Sequence, residues 1–274
     1  MIVKINGTRG SVPACDPNFQ EFGGNTTCFS IFRQDINTIF IIDAGTGIRK
    51  LGKAMMELPK KQKLIPIGFT HFHWDHIQGF PFFKPAYDPE TTLNILSVGD
   101  TTETELKSIL QTQMQSEYFP IPMSEMGANF RFTNLGVDFV DVNNGLKVKM
   151  IKQNHPGISY GVRIELMGGI LVICTDVEHN DPISEEYIQF CKNADLLIHD
   201  AQYTDEELEL HRGWGHSSYS QAIEVAERSN ANMLVLTHHD PDHNDEFLRK
   251  QEKMCQERFK NCELAREGNE YDIG

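Results

Sequence analysis

Several ingredients are missing from this chain. No apolar run approaches the roughly 20 residues that a membrane-spanning helix needs, which excludes a helical membrane protein. The opening Met1-Ile2-Val3-Lys4-Ile5-Asn6 reads as a strand and lacks the layout of a signal peptide, so a cytoplasmic setting is expected. None of the six cysteines (Cys15, Cys28, Cys174, Cys191, Cys255 and Cys262) forms a C-x-x-C pair. A cysteine-held zinc and a disulfide framework are therefore not expected. Cys28 and Cys174 fall in apolar runs and read as small buried hydrophobes. Basic residues are few: 25 Lys and Arg face 39 Asp and Glu, for a net charge of −14. That balance gives no general attraction for phosphate backbones. The expected partner is a small molecule, with no bulk nucleic acid and no membrane. The charge balance does not exclude a nucleotide bound at a local cationic metal centre. There is no internal repeat, linker or low-complexity stretch.

What is present is enough for a sizeable core: 274 residues, 39% of them hydrophobic. Strand-like runs end at Asp43, Phe69, Asp176, Asp200 and His238, and helical patterns cover 45–57, 101–114, 182–194, 219–229 and 242–258. Residues 91–98, 130–142 and 146–153 read as strands, and 159–166 with 169–175 as a hairpin. Asp35-Ile36-Asn37 has the composition of a hairpin connection. Thr204 with Glu207 has the capping-box spacing, and Ser217 is the expected cap of the helix from Tyr219. Phe247, Leu248 and Met254 are expected inward on the last helix, and 266–274 is expected to be a loose polar tail.

The densest chemistry lies in Thr70-His71-Phe72-His73-Trp74-Asp75-His76, an H-x-H-x-D-H cluster just after the buried run Leu64–Phe69. Imidazole nitrogen and carboxylate oxygen are the donors that zinc and similar divalent ions prefer. In extended backbone His71 and His73 point the same way, while Asp75 and His76 turn toward a neighbouring point. One loop then feeds two adjacent metal positions.

This segment resembles the signature of the metallo-β-lactamase-fold hydrolases, and later motifs follow in that family's order: Asp43 before Ala44-Gly45-Thr46-Gly47, His155 in Asn154-His155-Pro156-Gly157, then Asp176 and His238 at strand ends. The resemblance implies a four-layer αββα fold, α/β in class. Two mixed sheets lie between helices, in one domain over residues 1–274. It implies two divalent metal ions, zinc first, with manganese or iron as options. His71, His73 and His155 hold one ion, Asp75, His76 and His238 the other, and Asp176 bridges them. Asp75 counts among the catalytic residues as well as the ligands. Asp43 is implied to orient a ligand histidine, and His239 is the less favoured substitute for His238. A homodimer is plausible by analogy alone.

Gly213-Trp214-Gly215-His216-Ser217-Ser218 and Ile198-His199-Asp200-Ala201-Gln202 resemble the paired motifs of the family's phosphodiesterase branch, which includes tRNase Z and the phosphoribosyl cyclic phosphate phosphodiesterases. Carried over, His216 is a general acid and Asp200 its partner, acting on a small or cyclic phosphodiester attacked by a metal-bridging hydroxide. The RNA-gripping arm of tRNase Z is not recognisable, and the cysteine zinc site of the phosphoribosyl enzymes has no counterpart. A lactone, thioester or β-lactam hydrolase on the same metals is the alternative; it needs no His216–Asp200 pair. His73 disfavours a di-iron oxygen-reducing enzyme, which carries glutamate there. Arg9 reads equally as part of an anion cradle or of a glycine-rich loop. Ile77–Phe83 reads as packing more than as a substrate wall, and Tyr118–Met123 as a lid or a packed loop. His179, His199 and His211 are left as structural or surface residues.

Overall fold

The computed structural model describes residues 1–33, 38–141 and 145–274. The expected hairpin connection at 35–37 and the end of the expected strand at Val142 lie outside them. Strands in chain order are β1 (Ile2–Gly7), β2 (Cys28–Arg33), β3 (Thr38–Ile42), β4 (Leu64–Gly68), β5 (Thr92–Ser97), β6 (Asn129–Asn134), β7 (Asp138–Asp141), β8 (Leu146–Gln153), β9 (Ser159–Leu166), β10 (Gly169–Cys174), β11 (Leu196–Asp200), β12 (Leu234–Thr237), β13 (Cys262–Leu264) and β14 (Glu270–Asp272). Helices are α1 (Ile48–Glu57), α2 (Trp74–Ile77), α3 (Glu103–Gln113), α4 (Glu185–Cys191), α5 (Asp205–Leu210), α6 (Tyr219–Ser229) and α7 (Asp245–Arg258).

The strands form two seven-stranded sheets, in the orders β14-β1-β2-β3-β4-β5-β6 and β13-β12-β11-β10-β9-β8-β7. Each sheet is mixed: from β14 to β3 and from β7 to β10 neighbours run antiparallel, and from β3 to β6 and from β10 to β13 they run parallel. Three apolar clusters divide the molecule into layers. Val3, Phe29, Val148, Val162 and Ile198 fill the space between the sheets. Ile48, Leu51, Leu106 and Leu110 seal helices onto the outer face of the first sheet. Ile188, Ala222, Val225 and Leu248 do the same for the second. Helix, sheet, sheet, helix is thus the expected four-layer α/β architecture.

The parallel halves position the site. Parallel strands leave their C-terminal ends on one edge, where α/β sheets bind ligands. Local chemistry fixes the helices that follow. Thr102 with Glu105, Thr204 with Glu207, and Ser218 with Gln221 each form a reciprocal capping box, and losing such a cap costs about 1 kcal/mol.

Some expectations are corrected. Residues 130–142 do not form one strand: the chain turns at Gly136, φ +68°, so β6 and β7 belong to different sheets. Ser218, not Ser217, caps α6. The expected helices at 182–194 and 242–258 shorten to α4 and α7, capped by Ser184 and Asn244. Met254 is 60% exposed while Leu248 is fully buried, because the inward stripe of α7 is narrower than its apolar content. The tail is not loose. Its backbone pairs with β1 through Ile2–Asp272 and Lys4–Glu270, and Tyr271 and Ile273 join the core between the sheets.

Candidate metal centre

Asp43 follows β3 in a left-handed turn (φ +60°), as Asp176 does after β10 (φ +61°) and His238 after β12 (φ +64°). Left-handed backbone costs a non-glycine residue about 1 kcal/mol or more. Three strands here end with that strain and with a site residue. Asp43 is fully buried. It accepts hydrogen bonds from the backbone N–H and the hydroxyl of Thr70, both at 2.8 Å, and its Oδ2 lies 2.9 Å from Nδ1 of His76. One carboxylate therefore fixes both ends of the 70–76 loop.

The structure brings the seven expected ligands into two adjoining groups, with the donor atoms of each within 4.8 Å of one another: His71, His73 and His155, and Asp75, His76, Asp176 and His238. His155 Nε2 is 3.0 Å from His73 Nδ1. His238 Nε2 is 3.1 Å from Asp75 Oδ2, and His76 Nε2 is 3.3 Å from the same oxygen. Asp176 touches both groups. Its Oδ1 lies 3.6 Å from His71 Nε2, 3.9 Å from His155 Nε2 and 3.2 Å from His238 Nε2, and its Oδ2 lies 3.1 Å from His76 Nε2. His73 is exposed while the other six are buried, so the centre opens to solvent on the His73 side.

The far ring nitrogens are occupied. Nδ1 of His71 faces the Thr70 hydroxyl (3.3 Å), that of His155 the Gly215 carbonyl (2.9 Å), and that of His238 Oε1 of Gln202 (3.0 Å). Such partners fix each ring so that Nε2 faces inward. At the centre, His71 Nε2, His76 Nε2 and Asp176 Oδ2 are buried and make no hydrogen bond. Leaving such an atom unpaired costs roughly 1–3 kcal/mol, and a divalent cation satisfies it. The nitrogen and oxygen donor set fits zinc, manganese or iron.

Electrostatics match this crowding. Burial, then repulsion from His76, pushes His71 well below the ordinary imidazole value. Burial also lowers His73 and His155. Burial works against the charged forms of Asp75 and Asp176, but the neighbouring histidines outweigh it and hold both carboxyls well below the usual range.

Beside the centre, Asp200 ends β11. Its Oδ2 lies 2.9 Å from Nδ1 of His216 and accepts the N–H of Asp176 at 3.0 Å, and its Oδ1 accepts the N–H of Ser217 at 2.9 Å. The His216 ring stacks on that of His238, 4.8 Å between centroids. Glu178 holds the loop that carries His216, accepting the N–H of Gly213 at 2.8 Å and that of Gly215 at 3.0 Å.

Other candidates fall elsewhere. Arg9 is wholly buried and donates to the carbonyls of Gly23, Asp240 and His243, so it staples loops together. His239 turns to the Ala265 carbonyl. Further along the chain from His239, His243 pairs with Glu207 and Asp242 is exposed. His179 and His199 face each other at 3.0 Å, and His211 bonds the Glu207 carbonyl. Ile77, Phe80 and Phe83 pack in the core of the first sheet, whereas Phe82 is 53% exposed against the edge of Phe119. Gln202, Glu178 and Thr70 were not singled out from sequence. Gln202 carried a signal, standing two residues after Asp200.

The beta-lactamase superfamily domain family matches residues 38–239. A ribonuclease Z of Pediococcus pentosaceus is 21% identical, covering 86% of this chain and 89% of that protein. The human short-form tRNase Z shares the fold, with a TM-score of 0.69 and 19% identity over the full length of both chains. A diphosphatase of the PhnP family does so with a TM-score of 0.73 and 16% identity, covering all of this chain and 98% of that one. No helix among the described residues is long and apolar enough to cross a membrane. The expectation of no bulk nucleic-acid partner is overturned, since relatives along most of the chain are named ribonuclease Z. Its physical flaw is that −14 sums the whole surface, while a substrate meets only the local field. On the span of the family match, with this fold and these donors, the chain belongs to the beta-lactamase superfamily domain family and is a hydrolase of the metallo-β-lactamase fold.

Proposed function

We propose that this hydrolase is a dinuclear metal-dependent phosphodiesterase, in one domain over residues 1–274. The observation that carries the reading is Asp176 lying within 3.1–3.9 Å of histidines from both ligand groups, with the His216–Asp200 pair beside it. His71, His73 and His155 would hold one divalent ion and Asp75, His76 and His238 the other, with Asp176 lying between the two groups; zinc suits the donors best. When bound, such ions polarise a phosphoryl oxygen and bring the pKa of water toward neutrality. Asp75 and Asp176 would offset part of the ions' positive charge. Asp200 accepts from Nδ1 of His216, which leaves Nε2 as the proton-carrying atom for the leaving oxygen. Lactone or thioester cleavage requires no such donor, and relatives named ribonuclease Z favour the phosphodiester.

The test is turnover of bis(p-nitrophenyl) phosphate, 2′,3′- and 3′,5′-cyclic nucleotides and a short 3′-extended RNA by the metal-loaded protein, beside His216→Ala and Asp176→Ala. Turnover that both variants lose supports the reading. Two bound metals with no phosphodiester cleaved overturns it in favour of lactones and thioesters.

A further inference from the structure

The chain has only two tryptophans, Trp74 and Trp214. Both are 60% exposed, although tryptophan is among the most buried residues on average. Each sits beside a candidate ligand or its support: Trp74 opens α2 between His73 and Asp75, and Trp214 directly precedes Gly215, whose carbonyl faces His155 Nδ1 at 2.9 Å. Two more exposed apolar residues repeat the pattern. Val12, 52% exposed, follows Ser11, whose N–H donates to Asp75 Oδ2 at 2.9 Å. Ile158, 45% exposed, follows Gly157, where an added Cβ would stand 3.8 Å from His73 Nε2. Four separate segments thus carry an exposed apolar residue next to a residue of one polar centre. Scattered apolar residues mean little, but a set gathered at a site marks a binding surface.

The rim has almost no positive charge. Across 10–13, 71–76, 155–158 and 212–216 the only lysine or arginine is Arg212, and its guanidinium is paired with Glu209 at 2.7 Å. What these positions offer beside the scissile phosphate is therefore an apolar surface and not a further charge. The ring of Trp214 is also braced. His211 meets it edge-on at 4.7 Å, and His211 in turn stacks on Tyr203 at 4.7 Å and 13°. A fixed, exposed indole offers a flat π surface, which suits a planar ring better than a flexible alkyl chain.

We infer that Trp74 and Trp214 form a stacking site for an unpaired nucleobase flanking the scissile phosphodiester. The inference rests on the phosphodiesterase reading and narrows its substrate to base-bearing phosphodiesters that are unpaired at the cleavage point. The site contributes to binding; neither indole takes part in proton transfer.

The two tryptophans supply their own probe. Indole fluorescence of the metal-loaded protein is titrated with adenosine 5′-monophosphate and with ribose 5-phosphate. Saturable quenching by the nucleotide is expected. Trp74→Ala and Trp214→Ala should each raise its Kd by roughly 5- to 150-fold, the range of one aromatic–base stack. The affinity for ribose 5-phosphate, read by competition, should stay within about twofold, and Trp→Phe at either position should restore part of the nucleotide affinity. Kinetics supply the second arm: kcat/KM for a dinucleotide should fall in the alanine variants while that for its abasic analogue does not. Turnover with no base dependence overturns the stacking site alone. A preference for a dialkyl phosphodiester over the dinucleotide overturns it in favour of a lipid-like substrate. Base-dependent quenching without cleavage of any phosphodiester supports the stacking site and overturns the phosphodiesterase reading.

Discussion

Oδ2 of Asp43 lies 2.9 Å from Nδ1 of His76, with neither side chain exposed. The same carboxylate accepts both hydrogen bonds that Thr70 donates, so it orients one candidate ligand and anchors the loop bearing three others. Asp43→Ala should weaken metal affinity by about 10- to 100-fold, the usual effect of losing a ligand's supporting partner. Zinc competition against a chromophoric chelator measures it. An unchanged affinity would show that the loop holds His76 without Asp43.

Much of this centre was legible because its donors sit in short motifs at strand ends. The H-x-H-x-D-H segment needs no tertiary knowledge to read as two metal positions. His155, Asp176, His238, Asp200 and His216 were reached through a resemblance, since no local spacing connects Asp200 to a histidine 16 residues on. The supports escaped for a related reason. Glu178 and Gln202 are ordinary polar residues until folding puts them against Gly213 and His238. Misread elements failed at tertiary overrides. Gly136 divides what alternation presents as one strand, and the polar tail is ordered by pairing with β1, which lies more than 260 residues away in sequence.

Asp200 accepts hydrogen bonds from the N–H groups of Asp176 and Ser217 and holds Nδ1 of His216. Asp200→Asn keeps the volume and brings an NH2 group where an acceptor stood, favouring the wrong tautomer of His216. A loss of roughly 10²- to 10⁴-fold in kcat is expected, the scale of general acid–base assistance, with metal content retained. Steady-state kinetics and metal analysis on one preparation decide it. A matching loss of metal would make Asp200 a support of the centre instead.

Glu178 tethers three parts of the site. Its carboxylate accepts from Gly213 and Gly215, and its backbone N–H and carbonyl both bond Asn154, next to His155. Glu178→Ala should lower kcat by about 10- to 100-fold by freeing the His216 loop. Because the carboxylate lies near the surface, stability should change by no more than about 1 kcal/mol. Glu178→Gln, which keeps one acceptor, should fall between. The discriminating readout is the leaving group: kcat with an alkoxide leaving group should fall more than kcat with p-nitrophenolate if Glu178 acts through the proton carried by His216, and both should fall alike if Glu178 only stiffens a loop.

His179 and His199 meet through their Nε2 atoms at 3.0 Å, and Nδ1 of His199 lies 2.7 Å from the Asp200 carbonyl. If Nδ1–H of His199 donates to that carbonyl, its Nε2 accepts from His179, and both rings are neutral. Burial, with repulsion from His199, lowers His179, and burial lowers His199. Their folded values therefore lie below the unfolded value near 6.5. The unfolded chain then binds more protons, so stability is full above about pH 6.5 and declines as pH falls below it, by up to about 1.4 kcal/mol per pH unit for each ring. Urea denaturation at pH 7.5 and 5.5 should show the decline, and His179→Gln should make it shallower. Parallel curves for both proteins would place the acid sensitivity elsewhere.

The last strand carries structural weight. Ile273 is 8% exposed within the core between the sheets. Its carbonyl accepts the Met1 amine at 2.7 Å and its N–H donates to the Met1 carbonyl at 2.9 Å. Ile273→Ala removes buried methyl groups and leaves a cavity, and a loss of about 2–4 kcal/mol is expected. Deleting 269–274 should cost more, because it also unpairs β1 and turns it into an open sheet edge prone to association. Denaturant midpoints measure the first effect, and light scattering during refolding the second. The candidate metal centre lies on strand ends formed by β3, β4, β8 and β10 to β12, so Ile273→Ala should leave metal affinity unchanged while stability falls. A parallel loss of both would mean that the β1–β14 edge is coupled to the site.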